Sequence, residues 1–323
     1  MKIQLIRRKS PLRFLPWMGG ALLISLFLSF LLPAGAQPGA DPLLGRREEW
    51  ALYRGAPEGA LAPHMLTRAQ LLAGPLMLAD PAHPLPADFP APSVRDIQAM
   101  VSTYLPAEEN VLLRQDVIYA LCAMQFERDL KGSLTFTRGA VSPAQPEEAR
   151  KAAFDRYAQV YPRAEALRRS QAAVPAGGQS EHQTGWAVDL ALTPPLKTAE
   201  KNPLRRNAGG QWVWEHMWRF GLIQRFGPGD GGAGSCEEIH LRYVGLPHAA
   251  AMQVMGLGLE DYLSLLRREG ALTLCRREEP YAYIYCSPLM GDWAFSPPCP
   301  GDLLCSADNA GFAIAAVAAQ GIF

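Results

Sequence analysis

The alternation of apolar and polar residues predicts a chain of helices and short strands between residues 96 and 270. An apolar stripe predicts a helix within Val111–Leu130, and Leu134–Thr137 and Ile239–Val244 are each typical of a short strand. Trp186–Leu192 is apolar except for Asp189, which indicates a buried strand that carries one acid. Further helices are predicted at residues 146–160, 212–220, 247–255 and 259–268.

The flanks of this region have a different pattern. Residues 37–95 are rich in Pro, Ala and Leu and show no period of 3.6 or 2, which indicates a linker or N-terminal extension with short helical pieces. Beyond Gly270, Tyr281, Tyr283 and Tyr285 alternate with smaller residues, which predicts strands. We therefore expect a small β-rich appendage at residues 271–323, after a central domain at residues 96–270.

The N-terminus has the pattern of an export signal. Basic residues between Lys2 and Arg13 precede an apolar run, Phe14–Leu32, and Ala34-Gly35-Ala36 follows it as an A-x-A-like cleavage site. The run is as long as a membrane span, so residues 1–36 are either a cleaved signal peptide or a single membrane anchor. Both alternatives place the body outside the cytoplasm, either secreted or anchored to the cell membrane.

Charge and cysteine content narrow the class of protein. The net charge is zero, but residues 1–36 hold five of the 31 basic residues and none of the 31 acidic ones, so the body is mildly acidic. This argues against nucleic acid as the main partner.

Four of the six cysteines lie in the C-terminal appendage: Cys275, Cys286, Cys299 and Cys305. Their spacing is not that of a structural metal site. Because an exported protein meets oxidising conditions, we expect these four to form two disulfides. We expect Cys122 and Cys236 to be unpaired.

Two segments carry candidate chemistry: Ser180–Asp189 and Glu237–Tyr243. Catalytic zinc is held by three nitrogen or oxygen ligands with one position open for water, and His182, Asp189 and His240 supply such a set. A cation would also offset the cost of burying Asp189 in an apolar strand. Taken alone, these residues have plainer interpretations: His182 as a loop histidine, Asp189 as a buried acid bonded to backbone amides, and Glu237 with Glu238 as a solvated pair. Three histidines have no partner at motif spacing, and we expect them to be structural or at the surface; they are His64, His83 and His248.

The order S-x-H-x-x-G-x-A-x-D, followed some fifty residues later by E-x-x-H-x-R-Y, resembles the VanY-like zinc D-alanyl-D-alanine carboxypeptidases. The similarity covers roughly residues 100–268 and includes a W-x7-F-G segment at Trp212–Gly221 and the terminal Tyr243-Val244-Gly245. It implies an α+β fold in which a small antiparallel sheet, flanked by helices, carries the metal.

The same resemblance implies the roles of individual residues. His182, Asp189 and His240 would bind Zn²⁺, and Glu237 would activate the zinc-bound water. The substrate would be the terminal D-Ala-D-Ala bond, or a similar bond, of peptidoglycan stem peptides. Glu238-Ile239 stands where the family usually has Pro-Trp between the base and the last ligand.

The resemblance also implies a substrate side to the site, and here the sequence departs from the family. Ser180, Gln183 and Arg242 are expected on that side, with Arg242 bracing the site. The family's S-G-Y-R-S motif reads R-G-A-V-S here, so Val141 occupies the position of the arginine that holds the substrate carboxylate. Arg138, three residues earlier, is the candidate replacement, with an exposed strand-end arginine as the plainer reading.

Three functions remain open at this point. The first is the D,D-carboxypeptidase, and the second is an L,D-carboxypeptidase or peptidoglycan endopeptidase on the same scaffold. The third is a wall-binding module without catalysis, and the retention of three ligands and a base argues against it.

Overall fold

The computed structural model describes residues 42–142, 147–174, 176–194, 203–225 and 238–320. The helices and strands predicted between residues 96 and 270 are present, with ends shifted by a few residues. The α-helices are Arg68–Leu72, Ile97–Val101, Gln115–Glu127, Glu147–Ala158, Arg163–Ala173, Ala208–His216, Leu246–Met255 and Leu259–Glu269. Short 3₁₀ turns lie at Ser102–Tyr104, Glu181–Thr184, Pro203–Arg206 and Met217–Phe220.

A four-stranded antiparallel sheet, which we call the site sheet, lies at the centre of the first part of the fold. Val188 and Leu190 project from one of its faces into a buried cluster shared with Val117 and Leu121 of the helix Gln115–Glu127. Alternation along each strand leaves the opposite face for the polar residues of the two motifs. In spatial order the strands are Leu134–Arg138, Ala187–Leu192, Glu238–Tyr243 and Leu222–Gln224. The predicted α+β class, with a small antiparallel sheet and further strands at the C-terminus, is confirmed.

A second, six-stranded sheet corrects the expected organisation of the flanks. The segment predicted to be a linker supplies two of its strands, and Leu52 pairs with Leu274 of the predicted appendage. Trp50 and Leu52 join the core beneath the last two helices, so burial of these side chains stabilises the pairing. In spatial order the strands are Leu43–Arg47, Trp50–Arg54, Ala271–Arg276, Glu279–Pro288, Phe312–Ala318 and Leu303–Ala307.

Two small strand pairs complete the described structure. His64–Leu66 pairs with Trp293–Phe295, and Arg95–Asp96 pairs with Leu112–Leu113. Within the described ranges, no helix is both long and apolar enough to cross a bilayer. The predicted signal or anchor at residues 1–36 lies outside those ranges.

The predicted disulfides of the appendage are wrong. Cys275, Cys286, Cys299 and Cys305 are free thiols, as is Cys122, whereas Cys236 lies outside the described residues. The physical reason is the sheet itself. Cys286 packs into the core on the helical side, whereas Cys299 and Cys305 pack against the core on the opposite face. Crowding in sequence therefore does not bring all four sulfurs together.

Candidate metal centre

The strand register of the site sheet aligns three motif residues in one row. Asp189 lies directly opposite His240 on one neighbouring strand and directly opposite Arg138 on the other. Directly opposite residues of antiparallel strands project from the same face of the sheet. Although they are far apart in the sequence, Arg138, Asp189 and His240 therefore form a short row of charged and ligating side chains on the face opposite the apolar cluster.

A 3₁₀ turn just before the second strand of this sheet presents His182. The Thr184 hydroxyl closes the turn by donating to the Glu181 carbonyl at 2.6 Å. Gly185 ends it with φ of 74°, and a Cβ there would lie 2.9 Å from Val94 Cγ1. Glycine is therefore required for both conformation and space, which explains its place in the motif.

The three predicted ligands converge. His182 Nε2 lies 3.0 Å from Asp189 Oδ2, and His240 Nδ1 lies 2.7 Å from Asp189 Oδ1. One ligand atom from each of the three residues lies within 4.8 Å of the others. Two imidazole nitrogens and a carboxylate oxygen form a donor set suited to a divalent transition metal.

The hydrogen bonds around His182 show why a cation fits between these donors. Its Nδ1 lies 2.8 Å from the carbonyl oxygen of Gly139, which can only accept, so Nδ1 carries the proton. In the neutral ring, the Nε2 lone pair then faces the Asp189 carboxylate. Burial lowers the pKa of His182, which disfavours a second proton. A metal ion between Nε2 and the carboxylate would resolve this conflict of two acceptors.

Asp189 and His240 show the same demand for positive charge. Burial alone would raise the pKa of Asp189, but its contacts with the rings of His182 and His240 outweigh burial and hold that pKa below its usual range. Burial lowers the pKa of His240, yet its bonds to Asp189 and Glu181 outweigh it and raise the pKa to about 9. Without a metal, a proton on His240 would supply the positive charge that the carboxylates attract.

Glu181 is a member of the site that sequence reasoning missed. Its side chain is buried, with Oε1 accepting from Arg225 Nε at 2.7 Å and Oε2 lying 3.1 Å from His240 Nε2. Burial raises the pKa of Glu181, but the charges of Arg225 and Arg242 outweigh it and hold the carboxylate ionised. In the S-x-H motif this glutamate occupies the unspecified position before His182. A carboxylate adjoining a candidate ligand was the available signal.

Arg242 lies in the interior of the structure, where it is placed to brace the site, and its contact with a substrate stays a prediction. The guanidinium is fully buried and donates to the carbonyl oxygens of Pro75 at 2.9 Å and Met77 at 3.0 Å. Its Nη1 lies 3.8 Å from Glu181 Oε2. Burial lowers the pKa of Arg242 to about 10, an effect that Glu181 partly offsets. Arg242 therefore ties the polar face of the site sheet to the segment before residue 78.

The other predicted substrate residues differ in accessibility. Ser180 and Gln183 are both buried, and Gln183 has no exposed surface, so their contact with a substrate stays a prediction. Arg138 is partly exposed, and its positive charge contributes to lowering the pKa of His182. Glu237, the predicted base, lies outside the described residues. Of the predicted ligands, base and substrate residues, the structure thus brings together the three ligands, Arg138 and Arg242.

Comparison with known proteins finds relatives that are similar to the same region. Residues 114–246 match the family model described as VanY, D-alanyl-D-alanine carboxypeptidase. The chain is 34% identical over 116 residues to a D-alanyl-D-alanine carboxypeptidase of Enterococcus faecium, which covers 35% of each chain. It is 35% identical over 106 residues to one of Enterococcus faecalis, which covers 32% of this chain and 37% of the relative. The chain thus spans little more than a third of the length of these curated relatives.

One solved structure shares the fold over most of the chain. It is the vancomycin-resistance D,D-dipeptidase VanXYg, determined in complex with a D-Ala-D-Ala phosphinate analog. The alignment has a TM-score of 0.61 at 20% sequence identity and covers 80% of this chain and 100% of that one. At this identity the likeness concerns the fold alone.

Proposed function

We propose, from the premise that residues 114–246 form a VanY-like domain, that this protein is a zinc-dependent D-alanyl-D-alanine carboxypeptidase. The observation that carries the proposal is the convergence of His182, Asp189 and His240 within 4.8 Å. The expected substrates are peptidoglycan stem peptides, because the matched relatives of Enterococcus are named D-alanyl-D-alanine carboxypeptidases.

The chain's own residues would hold the metal and orient its ligands. His182 Nε2, His240 Nδ1 and the Asp189 carboxylate supply the donors, and their remaining hydrogen bonds keep both rings in place. A bound Zn²⁺ would acidify a coordinated water towards a pKa of about 7 and polarise the scissile carbonyl. The polar face of the site sheet is where the peptide would be presented.

We assign the proton transfers to Glu237, three residues before His240. A carboxylate there would take a proton from the attacking water and later give it to the leaving amine. Glu237→Gln should keep one zinc per chain and lose about 10²–10⁴-fold in kcat, since the amide cannot accept that proton. Glu238→Gln is the matched control and should stay active. Inactivity of the control alone would move the base to residue 238.

A set of three matched peptides tests the reaction. One ends in D-Ala-D-Ala with a free carboxylate, the second is its C-terminal amide, and the third ends one residue earlier in L-Lys-D-Ala. Mass spectrometry should show loss of one D-alanine from the first peptide, abolished by a chelator and restored by zinc. Absence of any cleavage by the zinc-loaded protein would refute an enzymatic function, and binding without cleavage would favour a wall-binding module.

A second function is favoured by one departure from the family. Val141 stands at the position of the carboxylate-binding arginine, and its backbone N–H donates to the His182 carbonyl at 3.3 Å, next to the metal ligands. Its apolar side chain cannot hold a carboxylate. Preference for the L-Lys-D-Ala peptide would indicate an L,D-carboxypeptidase. Equal cleavage of the acid and the amide would indicate an endopeptidase.

We also propose that the protein acts outside the cytoplasm. The export pattern of residues 1–36 supports this location, and cell-wall peptides are found there. In this organisation residues 96–270 are the peptidase domain. The segments before and after it build the six-stranded sheet.

A further inference from the structure

Glu181 occupies a place that the ligands and the base do not explain. Its Oε2 lies 3.1 Å from Nε2 of His240, whereas Nδ1 on the other side of the same ring lies 2.7 Å from Asp189. His240 is thus held between two carboxylates. Asp189 belongs to the candidate ligand set, and Glu181 lies on the side of the ring that faces away from it.

We propose that Glu181 is a positioning residue that accepts the Nε2–H of His240 and thereby reserves Nδ1 for the metal. The inference rests on the proposed function, since it takes His182, Asp189 and His240 as the ligands. It assigns Glu181 no contact with substrate and no proton transfer in the reaction.

The tautomer of His240 is the physical basis of this role. A neutral imidazole has one N–H and one lone pair, and an ionised carboxylate can only accept. When Nε2 donates to Glu181, the lone pair is on Nδ1, on the same side as His182 Nε2 and Asp189. A carboxylate behind a ligand histidine fixes the ring and raises its basicity, which strengthens metal binding.

Two arginines hold Glu181 in the required state. Arg225 donates through Nε to Glu181 at 2.7 Å, and its two terminal nitrogens reach Glu260 at 3.0 and 2.7 Å. Arg242 approaches the other carboxylate oxygen at 3.8 Å. Both guanidinium groups are buried, so their charges favour an ionised, oriented carboxylate. His240 thus has a charged hydrogen-bond partner, Glu181, whereas the partner of His182 is the neutral carbonyl group of Gly139.

A purely structural role for Glu181 predicts a different experimental result. If it only neutralised Arg225 and Arg242, its replacement would destabilise metal-free and zinc-loaded protein equally. A positioning role predicts weaker zinc binding as well. The rise in melting temperature on zinc addition would then shrink, because that rise depends on metal affinity for the folded state.

The first test compares Glu181→Gln with Glu260→Gln in the full chain. Glutamine keeps an oxygen acceptor at residue 181 but removes the charge, and Glu260→Gln breaks only the outer, half-exposed part of the same ion-pair network. Zinc affinity is measured by competition with a chromophoric chelator. We expect Glu181→Gln to weaken zinc binding by about 10–100-fold, the usual effect of an outer carboxylate partner. Glu260→Gln should bind zinc like the wild type.

A second test needs no variant that could fail to fold. With only six histidines in the chain, ¹⁵N NMR of the Cd²⁺-substituted wild type can identify the coordinating nitrogen of each ligand ring. We expect coordination through Nδ1 of His240, with a proton on Nε2, and through Nε2 of His182. Coordination through Nε2 of His240 would overturn the inference, as would a folded Glu181→Gln variant with wild-type zinc affinity. A wild type that binds no metal would instead defeat the proposed function.

Discussion

A buried aspartate beside the six-stranded sheet shows how this molecule satisfies a structural carboxylate. Asp308 is fully buried beside the end of the strand Leu303–Ala307. It accepts hydrogen bonds from the backbone N–H groups of Ala310 at 2.7 Å and Phe312 at 3.0 Å, and from Arg267 Nε at 2.7 Å. Every one of these partners is a donor, so the charge needs no further ligand.

Asp189, in the site sheet, is buried to a similar degree but has partners of another kind. Within the part of the chain that the structure describes, its oxygens are bonded to ring nitrogens of His182 and His240. When each ring is neutral and carries its proton on the nitrogen that faces away from Asp189, the nitrogen that faces Asp189 is an acceptor. The charge of Asp308 is therefore satisfied by donors of the protein itself, whereas that of Asp189 needs a cation.

The sharpest way to break this comparison is to remove the charge from each aspartate. Asp189→Asn should lose zinc and activity, because an amide oxygen is a much weaker ligand and its NH₂ group repels the cation. We expect a loss of zinc affinity larger than the roughly 10–100-fold typical of outer-shell changes. Asp308→Asn should still bind one zinc per chain. Metal analysis after gel filtration measures both, and full occupancy of Asp189→Asn would show that Asp189 is not a ligand.

For stability, the change that matters is the one at Asp308, the aspartate whose replacement should leave zinc binding intact. Asp308→Asn leaves Arg267 without its charged partner and places an NH₂ group against backbone donors. We expect a decrease of about 2–3 kcal/mol in the free energy of unfolding, the scale of hydrogen bonds to charged groups. Urea denaturation of the chelator-treated proteins at pH 7 gives the value. A decrease below about 0.5 kcal/mol, the size of ordinary surface changes, would contradict a structural role for this carboxylate.

Two arginines, Arg267 and Arg138, extend the comparison to the substrate. Arg267 is paired with Asp308, whereas the side chain of Arg138 has no hydrogen bond or ion pair with any described residue, and Arg138 lies opposite Asp189 in register. We expect Arg138→Ala to lower kcat/KM for free-acid peptides by about 10–100-fold, equivalent to the loss of one or two hydrogen bonds to a charged group.

Steady-state kinetics with the matched peptides tests this anchor. Amidated substrates should be poor for the wild type and little changed by Arg138→Ala. Arg138→Lys should recover part of the loss, since it keeps the charge without the planar fork that pairs with a carboxylate. Equal losses for acid and amide would mean that Arg138 does not bind the terminal carboxylate.

The candidate ligands that the structure brings together could be picked out from the sequence because their chemistry is local to two motifs. His182 and Asp189 are seven residues apart, and a turn leading into a strand brings them to one face. Glu181 could not be identified in the same way. Its role depends on Arg225 and Arg242, whose approach is set by strand pairing and has no signature in the spacing.

The six-stranded sheet was missed for a related reason. Trp50–Arg54 is a five-residue strand whose partner is Ala271–Arg276, so no local periodicity distinguishes it from a linker. Long-range pairing of short strands depends on which apolar faces become available after the rest has folded. The disulfide prediction failed because it rested on compartment and crowding. Neither of these determines which face of a sheet a thiol occupies.

A third buried group, His248, gives the smallest and most specific test of the comparison. Its side chain is 1% exposed in the helix Leu246–Met255, and its Nδ1 lies 2.8 Å from the Tyr262 hydroxyl. Burial lowers its pKa from the usual 6.5 to about 3. His182 is also buried with a lowered pKa, but among the described residues no carboxylate is hydrogen-bonded to His248, which lies outside the candidate ligand set.

The sign of the effect follows from that shift. Because the folded pKa lies below the unfolded one, the unfolded chain binds the proton more readily, and stability falls as the pH drops from 6.5 towards 3. At about 1.4 kcal/mol per pH unit, the loss should reach about 2 kcal/mol at pH 5. His248→Gln keeps a polar partner for Tyr262 but does not titrate. Urea denaturation of both chelator-treated proteins between pH 7.5 and 5 should show their stabilities converging or crossing as the pH falls. Parallel curves would mean that His248 is not held neutral by burial, and that the contrast between structural and metal-binding histidines does not extend to it.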